Sequence, residues 1–474
     1  MRVAAIDQGT TSTRVLMLDE RGQPEIVHGV EHRQIYPQPG WVEHDPEELI
    51  RIFGTCFEAA GDVDAIGIDN QGESCLAWDA EDKTALSPVI VWQDDRTKET
   101  VQQLKADGIE AETLARAGLP LDPYFSATKL AWILETLPSA KEAHTKGRLR
   151  LGTTDAFFLD RLTGFFVTDI TTASRTSLMN LENGTWDEEL CRIFGVPIET
   201  LPEIRTTTGD FGAISTSSGL KPVTASVVDQ QAALYGFGCR HAGDAKMTFG
   251  TGAFALMVTG QDIHRQPDQG LLPTVAWQKA GEAPIYALEG GVYAAGAAVN
   301  WAKSLGLFSD LSDLNNMEGA AAIDGGLAFV PALSGLACPH WDRRARGTWL
   351  GLSLDHEKKD LARAVLEGIA FRAAEVLQAM ARAVPLNEAL MIDGGMSKNP
   401  YFAQFLADLL GRDVRPSQVA DLTAVGTALL AADPLQVDFP EMSAFTSVQP
   451  KQDRTAASAR FQQAIALTRS WKST

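Results

Sequence analysis

Val3-Ala4-Ala5-Ile6-Asp7-Gln8-Gly9-Thr10-Thr11-Ser12-Thr13-Arg14, followed by Val15-Leu16-Met17-Leu18, is the stretch from which the fold of this chain is read. Each apolar run is short enough for a buried strand. A link rich in glycine and threonine joins them, so the pair reads as a β-hairpin. The turn is chemically loaded. Asp7 ends the first strand with a carboxylate that suits a divalent cation, directly or through water. Gly9 lets the backbone approach an anion, and Thr10, Thr11 and Ser12 add hydroxyl donors. Together they suit the phosphates of a nucleotide and its Mg²⁺. By themselves the same residues also fit a plain turn.

Outward from the hairpin, Asp45-Pro46-Glu47-Glu48 predicts a helix start, with a capping acid, a first-turn proline and acids that suit the helix dipole, and the helix runs to about Ala60. Ala65-Ile66-Gly67-Ile68 reads as a buried strand. It ends in the polar cluster Asp69 to Ser74, the place where an α/β protein lines its cleft. Val89 to Trp92 reads as another strand, with the charged Gln93 to Arg96 and a helix after it. The opening pattern returns near residue 223. Val223 to Val228 leads into Asp229-Gln230-Gln231-Ala232 as a loop entering a capped helix. Met247-Thr248-Phe249-Gly250-Thr251-Gly252-Ala253-Phe254 then repeats the strand, Gly/Thr link and strand. This internal repeat predicts an α/β protein of two domains, residues 1–222 and 223–474, with a nucleotide gripped between them. A third glycine turn, Asp393-Gly394-Gly395, precedes Asn399-Pro400, which caps a helix from Tyr401 to Leu410. Thr423 to Ala428 is a small-residue helix suited to close packing, and the last forty residues read as peripheral.

Composition narrows the function. A chain of 474 residues can bury two cores, and 45% apolar with 22% charged residues is ordinary for a globular protein. Acids outnumber bases 61 to 41, for a net charge of −20. That surface repels nucleic acid and anionic membranes, and no basic patch offsets it. The five cysteines are scattered without a CxxC pair, so neither a structural zinc nor a disulfide framework is expected. No apolar run is long enough to span a bilayer and no signal core opens the chain, so the expected location is the reducing cytoplasm.

Neither common phosphate fingerprint is present. GxxxxGK[ST] does not occur, and Gly250-Thr251-Gly252 lacks the third spaced glycine and lies between strands. What the chain does carry is a set of longer motifs: IDQGTTSTR at Ile6, IYPQPGWVEHDP at Ile35, DPYFSATKLAWIL at Asp122, DQQAALYG at Asp229, FGTGAF at Phe249, ALEGGVYAAGAAVNW at Ala287, RGTWLGLSLDHEKKDLARAVLEGIAFR at Arg346 and DGGMSKN at Asp393. In these, and in their order along most of the chain, it resembles the FGGY carbohydrate kinases. The resemblance implies two actin-like, ribonuclease-H-like domains with ATP and substrate in the cleft between them. The first would carry the substrate and phosphate side, the second the nucleotide side.

The implied reaction is ATP-dependent phosphorylation of a small polyol, foremost glycerol to sn-glycerol 3-phosphate. Such a transfer needs donor, Mg²⁺ and hydroxyl in line and a base for the hydroxyl proton. By resemblance Asp229 is that base, although an Asp at a helix head also fits a plain cap. Asp7 falls to Mg²⁺, and Thr10, Thr11, Ser12 and Arg14 to phosphate from the first domain. Gly250 and Thr251 would hold phosphate from the second, while Gly394, Gly395 and Asn399 frame the adenosine with Gly296 and Asn300 nearby. The polyol falls to Glu73, Trp92, Tyr124, Asp229, Gln230 and Phe254, since acids and amides take hydroxyl hydrogen bonds and aromatic faces pack on C–H groups.

Three departures stand out. Family members that phosphorylate glycerol have an arginine immediately before the substrate-binding glutamate, where this chain has Gly72. An arginine of the pair after the tryptophan is replaced by Asp95, while Arg96 remains. Losing a guanidinium removes donors and widens the pocket, which keeps a tetritol, a pentitol, xylulose or ribulose open as alternative substrates. Finally, Ala213 to Gly219 lacks the Gly-Gly-Lys-Gly-type loop that binds fructose 1,6-bisphosphate in some relatives, so no inhibition through that loop is expected. Self-association to a homodimer or homotetramer is implied by kinship. A non-catalytic nucleotide-binding regulator on the same fold is the alternative from another class; Asp7, Glu73, Asp229 and the Gly-Thr-Gly turn argue against it.

Overall fold

The two glycine-rich links do form hairpins, each at the centre of its own six-stranded sheet. The computed structural model describes every residue except 316, 318, 420, 438, 440–444 and 472–474. In the first sheet Val3–Gln8 pairs antiparallel with Ser12–Leu18 and parallel with Ala65–Asn70. In the second, Ala245–Phe249 pairs antiparallel with Ala253–Gly260 and parallel with Ala389–Gly394. The internal repeat is therefore structural. Its register is equivalent too: Asp7 lies opposite Asp69, and Thr248 opposite Asp393.

The full strand orders are Ala213–Thr216, Gly219–Val228, Ala65–Asn70, Val3–Gln8, Ser12–Leu18, Pro24–Glu31 and Leu272–Trp277, Ile285–Val292, Ala253–Gly260, Ala245–Phe249, Ala389–Gly394, Asp413–Pro416. Residues 223–228 are thus not a loop. They belong to a strand pairing parallel with Ala65–Asn70, and the division expected between 222 and 223 falls inside it. Val223, Ala225 and Val227 are wholly buried, and apolar residues covered on both faces favour a central strand. The strand near residue 90 is shorter than expected, Val89–Ile90, because the chain turns where Asp94 N–H donates to the Val91 carbonyl.

Caps behave as the residues suggest. Asp45 accepts from the Glu47 and Glu48 amides at the head of Pro46–Ala60, and Asn399 accepts from Phe402 N–H at the head of Pro400–Leu410. Between the sheets lie two short helices, Asp229–Gly236 and Leu422–Ala432, packed backbone to backbone. A Cβ on Gly426 would stand 1.8 Å from the Ala232 carbonyl oxygen, and one on Gly236 2.1 Å from that of Leu422, so only glycine allows the approach. This small-residue layer joins faces of both sheets into one apolar cluster. The final helix, Thr455–Ser470, is less peripheral than expected: Phe461 is buried and stacks on Phe371 at 4.4 Å between ring centroids.

Candidate active site

The first hairpin turn is braced by side chains. Gly9 N–H donates to the Ser12 carbonyl at 3.0 Å. The Thr10 carbonyl accepts from His32 Nε2 and Gln34 Nε2, and Thr10 Oγ1 accepts from Trp92 Nε1 at 3.2 Å. Thr11 is exposed, and Ser12 opens the second strand. Arg14, half exposed, pairs with Asp421 at 2.7 Å across the domain junction. Behind the turn the Asp7 and Asp69 carboxyl groups share a hydrogen bond, and Asp69 also accepts from Thr427 Oγ1 at 2.7 Å. Withdrawal from water raises both pKa values, Asp69 the more strongly. Asp69 Oδ1 has no protein partner.

A cavity of about 590 Å³ opens beside this turn, walled by both domains. Trp92, Tyr124 and Phe254 line it, as does Glu289 on the strand Ile285–Val292. Trp92 and Tyr124 meet edge to face at 5.6 Å, and Arg343 donates to Asp122 at the rim. Glu73 does not line the wall; it is buried behind it, bound to Arg175 Nε at 2.7 Å. The same guanidinium reaches Glu289 through Nη2 at 3.0 Å. Asp95 is at the cavity edge beside Lys98. Arg96 is turned away, bonded to Asp94 and Glu43 with its guanidinium over the Trp41 ring at 3.9 Å.

Asp229 and Gln230 stand at the head of the helix Asp229–Gly236, outside the lining of that cavity. Asp229 Oδ1 accepts from the Gln230 amide at 2.6 Å. Withdrawal from water, then the charges of Glu73 and Asp7, push its carboxyl up to about 7. Lys246 is buried beside them. Its Nζ donates to Gln230 Oε1 at 2.6 Å and to Thr248 Oγ1 at 3.1 Å, and burial lowers its pKa.

A second cavity, about 400 Å³, belongs to the second domain. Gly250, Thr251, Gly296, Asn300, Gly395 and Asn399 all line it, so three glycine-bearing segments of sequence converge there. Gly296 N–H donates to the Gly250 carbonyl and Ala297 N–H to that of Thr251, both at 2.9 Å, which fixes the turn against the helix Gly296–Ser304. Asn399 shapes the wall rather than reaching into the space. Its oxygen caps Phe402 N–H while its nitrogen donates to Leu314 O and Asn315 Oδ1. Gly394 lies outside the lining; at φ +88°, a Cβ there would stand 2.2 Å from the Phe249 carbonyl oxygen, so it is a packing glycine.

Three site residues escape the sequence reading, Arg175, Lys246 and Glu289, and Asp69 enters it only as one end of a polar cluster. A usable signal existed for two of them. Arg175 is the lone charge between Ile170 and Leu181, and Lys246 the lone charge between Ala245 and Gly260. A single cation in such a run is buried only if partners wait for it. Among the described residues no group of three or more His, Cys, Asp or Glu side chains is placed to hold a metal ion. That leaves room for a Mg²⁺ of the kind bound by one or two carboxylates and substrate phosphates.

Comparison with known proteins gives the geometry a family. The family model described as "FGGY family of carbohydrate kinases, N-terminal domain" matches residues 2–236, and its C-terminal counterpart matches residues 245–433. The chain is 42% identical to a glycerol kinase of Thermus brockianus, with 98% of each chain covered. It is 43% identical to one of Trichlorobacter lovleyi over 90% of this chain and 89% of that one. Among solved structures, the glycerol kinase of Plasmodium falciparum with ADP superposes with a TM-score of 0.93 at 31% identity, covering 98% of both chains.

Proposed function

The chain belongs to the FGGY family of carbohydrate kinases, and we propose that it transfers the terminal phosphoryl group of ATP to glycerol, giving sn-glycerol 3-phosphate. It is an ATP-dependent kinase with a small-molecule substrate. The observation that carries the acceptor assignment is the composition of the larger cavity. Aromatic faces of Trp92, Tyr124 and Phe254 suit the C–H groups of a polyol, and the Glu289 carboxylate in the wall, with Glu73 behind it, suits its hydroxyls.

In this reading Glu73, Trp92, Tyr124, Gln230 and Phe254 orient the polyol. Asp229 accepts the proton of the attacking hydroxyl, and a carboxyl near 7 is poised for that task at neutral pH. Thr10, Thr11, Ser12 and Arg14 hold phosphate from the first domain, Gly250 and Thr251 from the second. Gly296, Asn300, Gly395 and Asn399 frame the adenosine, with Gly394 setting the spacing behind them. Asp7 is the residue that holds Mg²⁺, with the orphaned Asp69 Oδ1 beside it as a further acceptor. When bound, the ion neutralises phosphate charge and aligns the donor. The same reading puts the enzyme in the cytoplasm, where its buried free thiols stay reduced, and makes it a dimer or tetramer. No helix among the described residues is long and apolar enough to cross a membrane.

A second reading rests on the size of that cavity. At about 590 Å³ it extends past the aromatic wall toward Asp95, Lys98 and Gln102, leaving room for a four- or five-carbon polyol or a ketose. Coupled ADP release with purified protein, Mg-ATP and a panel of glycerol, erythritol, ribitol, xylulose and ribulose separates the two. Highest kcat/KM on glycerol is expected. Preference for a longer acceptor would establish the second reading, and no turnover on any of them would sink both.

A further inference from the structure

We propose that Arg175 positions the acceptor alcohol, its guanidinium holding Glu73 of the first domain and Glu289 of the second while leaving Nη1 to donate to a polyol hydroxyl. The inference rests on the acceptor reading above. The side chain is 2% exposed, so its charge is cut off from water. Nε and Nη2 are committed to Glu73 at 2.7 Å and to Glu289 at 3.0 Å. Nη1 is buried and has no protein partner.

A guanidinium nitrogen in that position is costly unless something supplies an acceptor. The guanidinium carbon lies 5.8 Å from the Tyr124 ring centroid and 5.6 Å from that of Phe125, and both rings line the acceptor cavity together with Glu289. Arg175 itself stands behind the wall, one layer from the cavity, and a substrate hydroxyl entering there has the chemistry of the missing acceptor. Gly72 lies beside the Arg175 stem. A Cβ there would already stand 3.3 Å from Val228 Cγ1 and 3.8 Å from Arg175 Cγ, so a long side chain at 72 would compete with the Arg175 stem. Because Glu73 and Glu289 come from different domains, one guanidinium also bridges the two domains behind the acceptor cavity.

The test uses the full chain with Arg175→Gln, Arg175→Lys and the milder Glu289→Gln, each assayed on glycerol and on propane-1,2-diol, with ADP affinity measured separately. Arg175→Gln is expected to lower kcat/KM for glycerol roughly 10- to 100-fold, mostly through KM, as for loss of a buried charge-assisted hydrogen bond. Its preference for glycerol over the diol collapses, while ADP affinity holds. Arg175→Lys restores part of the preference, and Glu289→Gln weakens it in the same direction. A preference unchanged in Glu289→Gln and in whichever Arg175 variant folds would overturn the inference while leaving the glycerol reading intact. So would equal loss of glycerol turnover and ADP binding in all three, which marks mere structural support. A wild-type enzyme inert toward every polyol removes the acceptor reading itself, and this inference with it.

Discussion

The two central hairpins share a backbone and differ in charge. At equivalent register the first sheet places Asp7 opposite Asp69, a carboxyl pair, whereas the second places Thr248 opposite Asp393 with the Lys246 ammonium 3.1 Å from the threonine hydroxyl. Their supports differ as well. Side chains of His32, Gln34 and Trp92 brace the first turn, while main-chain amides of Ala295, Gly296 and Ala297 brace the second. Repetition of a strand-turn-strand unit thus supplies two cradles, and a few side chains give them different charge: two carboxyls in the first, a carboxyl with a lysine in the second. The acidic cradle suits a cation and a proton. The one with lysine behind it suits phosphate.

The strongest way to break this division is to remove the proposed base, Asp229. Asp229→Asn should lower kcat by about 10²–10⁴-fold with ADP affinity retained; a variant that keeps its turnover would take proton transfer away from Asp229. Next comes the carboxyl pair. Asp7→Asn should weaken activation by Mg²⁺ about 10- to 100-fold in a titration of ADP release, and an unshifted Mg²⁺ requirement would deny the acidic cradle its cation.

The pH profile sharpens the same point. The proposed base must be ionised to accept a proton, and the Asp229 carboxyl is raised to about 7, so on that proposal acid protonates and disables it. Acceptor kcat/KM should fall about tenfold per pH unit below 7 and level off above it. A profile flat down to pH 5 would show another group in charge. In the second cradle Thr248→Val should cost only roughly fivefold, one hydrogen bond's worth, without moving the Mg²⁺ requirement. The smallest effect is expected at the hairpin loop near Ser217. Its amide and hydroxyl both donate to Glu58, an acid where a sugar bisphosphate would need cations. Fructose 1,6-bisphosphate should not inhibit, and tight, saturable inhibition lost in variants of Ser215 to Gly219 would reverse that.

Much of the fold was legible because its signals are local. The cap at Asp45, the Asn399-Pro400 helix start and both Gly/Thr hairpins depend on residues within four or five positions of one another. The break at 222/223 missed because Val223 to Val228 is a strand whose partner, Ala65–Asn70, lies far away in sequence. Glycine spacing marked both cradles, yet could not separate Gly296, which lines the second-domain cavity, from Gly394, which packs against Phe249.

The sequence by itself determined the inventory: two hairpins with an acid or a threonine at the turn, aromatic and acidic residues for a polyol, an Asp at a helix head, and a family membership carried by ordered motifs. Only the tertiary structure decided which charges meet. Arg175 is 102 residues from Glu73 and 114 from Glu289, and Asp69 is 358 from the Thr427 hydroxyl that holds it. Periodicity and capping act over a few residues, whereas an ion pair depends on where the chain returns in space and on the water excluded there.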